Sequence, residues 1–338
     1  MTSSRKYPEK NVLAGDVGGT KTVLALFAGS ETAFHSKAQK TYASRADLGL
    51  EDMLSDFLSE HGATVDGVCI GIAGPVKDGI CRTTNLPWEV SSSALQERFG
   101  FKTMELINDL AAWAYGLPYL KPEDMVDLNS VPPVLTQHQG VIAPGTGLGQ
   151  AFLLYINGQY VVLPSEGGHV DFAPANEAQT ALWRYLHQRF GHVSVERILS
   201  GPGLLNLFSW MREDSAEPLP SWLAERLATD DPPRVITEAA LHESQPLCQA
   251  ALSMFVDILG AVAGNLVLSG TTTGGLYLCG GIPPRILPFL KDGRFLKAFT
   301  DKGRFQTYLE QIAVRVVMNP QTPLTGAAHR ALIHSSAS

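Results

Sequence analysis

Residues 11–27 read NVLAGDVGGTKTVLALF, two apolar, β-branched runs separated by Gly18-Gly19 and a short polar turn. The pattern predicts two strands joined by a tight hairpin, since glycine tolerates turn backbone that other residues avoid. The same glycines let backbone N–H groups approach an anion with no Cβ in the way. An ordinary turn has no need of the acidic residue just before them. Gly15, Asp16, Gly18, Gly19, Thr20 and Lys21 therefore read as a candidate phosphate cradle, with the Thr20 hydroxyl as a further donor and Asp16 able to hold a Mg2+-bound water.

Outward from this hairpin, residues 50–62 have apolar positions at helical spacing, and 65–76 form a buried apolar strand, so the chain opens as an α/β unit. Residues 104–120 begin as a strand and turn helical at about Asp109, whose carboxylate suits the positive end of a helix. The Pro-rich, polar stretch 121–140 reads as a crossing between domains. Residues 141–158, VIAPGTGLGQAFLLYING, repeat the plan of strand, glycine turn and strand, which suggests duplication. Gly145, Thr146 and Gly147 make a second cradle without a carboxylate. Helices dominate 177–310, interrupted by the strand at 274–282, whose Gly280-Gly281 pair can admit a flat base or ribose. The closing run 319–334 reads as a turn and helix returning to the first domain.

A chain of 338 residues exceeds the usual size of one core. The expected division is a small α/β domain, 1–119 plus 319–338, and a large α/β domain, 120–318. Residues 1–11 are polar, read as a loose tail and lack the apolar core of a secretory signal. No apolar stretch is expected to reach the 18 to 20 residues that span a bilayer. With 26 basic and 33 acidic residues and a net charge of −7, the chain carries no basic footprint for nucleic acid. Cys69, Cys81, Cys248 and Cys279 are scattered without metal-site spacing, which fits a reducing, cytoplasmic setting.

The order of hairpin, Asp-bearing junction, second hairpin and late Gly-Gly strand resembles the actin-like ATPase superfamily over nearly the whole chain. Within it, INDLAAWAYG (107–116), LPSEGGHVDFAP (163–174), ERILSGPGL (196–204) and CGGIPPRIL (279–287) look closely like the corresponding segments of bacterial glucokinases. The resemblance implies a two-lobe α/β fold of the actin-like ATPase, ribonuclease H-like type, with a central cleft, and ATP-dependent phosphorylation of the 6-hydroxyl of glucose. It implies Asp109 as catalytic base and Asn108, Glu166, His169 and Glu196 as sugar contacts beside it. Asn85 lies on a segment that approaches the sugar from the small lobe in this family, and Asp171 is expected to tie down its loop. ATP, Mg2+ held by Asp16 through water, and a homodimer built from the large lobe are further implications. No cysteine-rich zinc loop follows His169, as it does in a related group of sugar kinases and repressors, and too few residues precede Gly15 for a DNA-binding helix-turn-helix. A kinase for another hexose or N-acetylhexosamine, and a sugar-independent actin-like ATPase, are the alternatives.

Overall fold

The structure is a computed structural model that describes residues 9–62, 64–83, 86–213, 215 and 218–337. The chain divides into two compact units, Met1–Lys121 with Gln321–Ser338, and Pro122–Pro320. The first eight residues, most of the expected tail, lie outside the described residues, as does Asn85. Lys10 and Asn11 are not tail: they open the first strand, where Asn11 N donates to Asp66 Oδ2 at 3.1 Å.

Unit 1 contains strands β1 (Lys10–Val17), β2 (Lys21–Ser30), β3 (Ala33–Ala43), β4 (Gly67–Ile72), β5 (Val76–Lys77), β6 (Ile80–Arg82), β7 (Glu89–Ser91) and β8 (Met104–Asn108). The main sheet has the order β3-β2-β1-β4-β8, and β5-β6-β7 form a small one. The hairpin pairs β1 with β2 antiparallel, closing at Val17 opposite Thr22, whereas β1 to β4 and β4 to β8 are parallel. All six residues of β4 are buried, as expected of a strand covered on both faces. Edge strand β3 is polar and mostly exposed, which blunts pairing with other chains. Leu13, Leu24, Leu54, Phe57 and Ile70 fill the core beneath helix α1 (Leu50–His61).

Helices α2 (Ser92–Phe99) and α3 (Asp109–Gly116) flank β8 in the chain. The C-terminal helix Thr322–Ala337 crosses α3 with almost no side chain between the backbones. A Cβ on Gly326 would lie 2.0 Å from Ala112 O, and one on Gly116 would lie 2.2 Å from Thr322 O. The same helix is anchored by Arg330, which donates two bonds to Glu105 of β8 at 2.8 and 2.9 Å. Lys10 Nζ reaches Ser335 O at 2.7 Å, joining the first strand to the last helix.

Unit 2 contains β9 (Met125–Asp127), β10 (Gln139–Pro144), β11 (Leu148–Ile156), β12 (Gln159–Ser165), β13 (Gly275–Leu278) and β14 (Val314–Val317), in the order β12-β11-β10-β13-β14-β9. Its first five strands repeat the plan of the main sheet in unit 1: an antiparallel trio, then two parallel additions. The stretch read as a crossing is more than a connector, because β9 adds to this sheet beside β14. Three residues are too few for alternation to announce a strand.

Helices α4 (Glu177–Phe190), α5 (Gly201–Glu213), α6 (Ser221–Thr229), α7 (Pro232–His242) and α8 (Pro246–Gly270) supply much of the core of unit 2, with Phe208, Phe255 and Leu259 buried. Helix α8 corrects the expectation about long apolar stretches: its 25 residues are long and apolar enough to cross a membrane by length and composition. In this fold Ala251, Phe255, Val256, Leu259, Ala263 and Val267 of α8 are buried in that core.

The bare crossing of α3 with the C-terminal helix gives a direct test. Gly326→Ala forces a methyl group against the Ala112 carbonyl and should cost about 1–3 kcal/mol, the usual penalty of overpacking. A thermal melt should show a Tm several degrees lower; an unchanged Tm would mean that the helices separate freely.

Candidate active site

Parallel pairing across unit 1 sets Asp16 beside Gly71 of β4, and the next residue, Ile72, beside Asn108 of β8. Strand β8 ends where α3 begins, so the chain turns at Asn108-Asp109. Asn108 is the N-cap: its Oδ1 accepts from Leu110 N at 3.0 Å and its Nδ2 donates to Gly74 O at 3.1 Å. Asp109 Oδ1 accepts from the same Leu110 N at 2.8 Å, which fixes this carboxylate at the positive end of α3. Gly71 makes the approach possible, since a Cβ there would meet Ala112 Cβ at 2.9 Å and Asp109 Cα at 3.8 Å.

Two carboxylates are thus held near one another. Burial pushes the Asp16 carboxyl up to about 6; the negative charge of Asp109 adds to the rise and Lys21 opposes it. No described residue donates a hydrogen bond to the Asp16 carboxylate. An acid kept in this condition favours a nearby cation.

The turn between β1 and β2 is closed by Gly18 N donating to Lys21 O at 2.9 Å. It is braced by Ser44, a residue that no sequence motif marked. Ser44 N donates to Thr20 O at 3.0 Å, and Ser44 Oγ donates to Gly18 O at 2.8 Å.

In unit 2 the corresponding turn joins β10 to β11, with Gly145 N bonded to Gly147 O at 2.8 Å. Glu196 stands against it. Its Oε2 accepts from Leu148 N at 2.8 Å, and a Cβ on Gly147 would fall 2.6 Å from that oxygen. Gly280, at φ 85°, lies alongside: a Cβ there would meet Pro144 O at 2.8 Å, at the end of β10. Parallel pairing of β10 with β13 accordingly brings the Gly145–Gly147 and Gly280–Gly281 segments to neighbouring strand ends.

The segment with Glu166 and His169 forms one turn of 3-10 helix, with His169 N donating to Glu166 O at 2.9 Å. Backbone packing requires Gly168, whereas the neighbour of Gly167 is the end of a flexible side chain. A Cβ on Gly167 would lie 2.4 Å from Gln150 Oε1, and one on Gly168 2.1 Å from Leu148 O. The next residues zip to the segment that carries Glu196: Phe172 N donates to Val193 O, Val195 N donates to Val170 O, and Asp171 bridges Ser194. Asp171 Oδ1 also meets His192 Nε2 at 2.9 Å, a solvent-exposed contact with a partner that sequence inspection did not find. Glu166, His169 and Glu196 thus come from two strips of chain stitched together, while Glu166 and His169 stay exposed.

A sequence profile of the Glucokinase family matches residues 13–334. The chain belongs to the glucokinase family. Every site residue expected from the sequence falls inside that span. The glucokinase of Yersinia enterocolitica is 41% identical over 315 residues, which cover 93% of this chain and 94% of that protein. Among solved structures, glucokinase from an Antarctic psychrotroph is similar with a TM-score of 0.82 at 33% identity, over 95% of this chain and 98% of that one. Glucokinase from Balamuthia mandrillaris in complex with glucose is similar with a TM-score of 0.79 at 25% identity, over 96% and 94% of the two chains. These likenesses give the glucokinase fold of the actin-like ATPase class.

The buried acid at position 16 has a measurable cost. Because its native pKa of about 6 lies above the ordinary carboxylate value, the native chain holds this proton more tightly than the unfolded chain. The resulting stability is complete below about pH 4 and is lost as pH rises to about 6. Asp16→Asn, which mimics the protonated acid, should raise Tm at pH 7.5, by a stability gain of at most about 3 kcal/mol, and leave Tm unchanged near pH 4. Equal effects at both pH values would refute this account.

Proposed function

We propose that this chain transfers the γ-phosphoryl group of ATP to the 6-hydroxyl of glucose, with Asp109 as the general base. The observation that carries the proposal is the Asp109 carboxylate, fixed at the N-terminus of α3 and electrostatically coupled to Asp16 beside the glycine hairpin, in a chain of the glucokinase family. Phosphoryl transfer passes through a loose transition state, so most of the rate comes from aligning the attacking oxygen and stabilising phosphate charge. Asp109 takes the O6 proton as the hydroxyl attacks. The turn at Gly18–Lys21 and the segments Gly145–Gly147 and Gly280–Gly281 are assigned to the nucleotide, through backbone amides and the hydroxyls of Thr20 and Thr146.

The sugar is assigned to Asn108, Asp109, Glu166, His169 and Glu196, whose side chains suit hydroxyls that both donate and accept. Asn108 keeps one amide hydrogen beyond its bond to Gly74, and Glu196 keeps one carboxylate oxygen beyond its bond to Leu148. Asn85 remains part of this proposal on the family resemblance alone. Asp16 suits Mg2+ held through water, because its carboxylate has no described donor and sits where a cation relieves the charge of two acids; the ion would offset charge on the phosphates. A cytoplasmic homodimer with no membrane or nucleic-acid partner completes the proposal.

A coupled ADP-release assay with Mg2+ and glucose, mannose, fructose, N-acetylglucosamine or no sugar tests the activity; turnover selective for glucose is expected. Asp109→Asn should lower kcat by about 10²–10⁴-fold while calorimetry shows glucose binding nearly unchanged. Turnover near that of the wild type would remove Asp109 from its role. Glu166→Ala should raise KM for glucose about tenfold or more through loss of a charged hydrogen-bond partner, and leave KM for ATP unchanged. A rise in both constants would mean that Glu166 supports the fold of unit 2 instead.

A further inference from the structure

We infer that Ser44 is a positioning residue of the phosphate cradle, one that orients the peptide units of the β1–β2 turn; the inference rests on the assignment of residues 15–21 to the phosphates of ATP. Ser44 directly follows β3 and extends the β2–β3 ladder past its last pair, Lys21 with Ala43. Its backbone N–H bonds Thr20 O at 3.0 Å, and its hydroxyl bonds Gly18 O at 2.8 Å. Two carbonyls of one short turn therefore point at the same residue.

All peptide bonds among the described residues are trans, and in a trans peptide the N–H points opposite to the C=O. The Gly18 carbonyl shares its peptide with Gly19 N–H, and the Thr20 carbonyl shares its peptide with Lys21 N–H. Drawing both carbonyls toward Ser44 turns both N–H groups to the opposite side of the turn, as an anion requires. Without that restraint a glycine peptide can flip and present its carbonyl oxygen to a phosphate, because Gly18-Gly19 has little steric preference of its own.

The hydroxyl is itself oriented. Thr22 Oγ1 lies 2.9 Å from Ser44 Oγ, and the side chain of Thr22 is fully buried. Ser44 has one hydroxyl proton, which goes to Gly18 O, so Thr22 must donate to Ser44. The chain Thr22 to Ser44 to Gly18 thus runs in one direction, from the buried face of β2 to the first glycine of the turn.

The test is steady-state kinetics of Ser44→Ala, Ser44→Cys and Ser44→Thr on the full chain, varying ATP and glucose separately. Loss of one neutral hydrogen bond predicts that Ala and Cys each raise KM for ATP about threefold to tenfold, with KM for glucose unchanged. Thr keeps the hydroxyl and should stay within about twofold of the wild type. A KM for ATP unchanged in both Ala and Cys variants, or a parallel rise in both Michaelis constants, overturns the inference. Failure of the wild type itself to phosphorylate glucose from ATP would instead overturn the function on which it rests.

Discussion

The approach of α3 to the end of β1 depends on a missing side chain. Gly71 stands between Asp16 and Asp109, and any Cβ there would press on Ala112. With the glycine in place, parallel strands β1, β4 and β8 deliver a carboxylate from a strand and a carboxylate from a helix N-terminus to the same region of unit 1. The arrangement costs stability, since two acids near one another in partial burial cannot both ionise freely. A structure selected for stability alone would pair or remove Asp16. That cost fits the cation role proposed for Asp16 beside Asp109.

Much of the remaining framework is built twice on one plan. The five-strand order and directions of the first main sheet recur in the second, which adds β9 at its edge, and each contains a hairpin closed by glycine. Their chemistry differs. The first hairpin keeps an acid before the turn and is braced by a serine after β3, whereas the second has Pro144 before its turn and is braced by Glu196. A neutral brace suits a turn whose carboxylate is already present. An acidic brace lends the second turn a charge that its own sequence lacks.

Local signals were legible in the sequence and distant ones were not. The glycine hairpins and the Asp109 junction announce themselves within a few residues, because turn chemistry and helix capping are short-range effects. Strands β5, β6, β7 and β9 have two or three residues each, too few to show a period. Helix α8 is buried on most sides, so its long apolar run has the composition of a membrane span and the environment of a core. Asn108 and Glu196 were expected as sugar contacts through resemblance alone. Their cap and brace roles, like those of Ser44 and His192, depend on partners that pattern reading does not supply.

The joining of the first strand to the last helix bears on how the protein is made. Unit 2 is one unbroken length of chain, but unit 1 needs the helix Thr322–Ala337 to cover α3 and to receive Lys10. A ribosome adding about 5–20 residues per second makes the N-terminal strands wait while about 200 intervening residues are synthesised, roughly 10–40 s. Through that interval the apolar hairpin at residues 11–27 lacks its final cover, and the second half of the protein is free to fold before the first is complete.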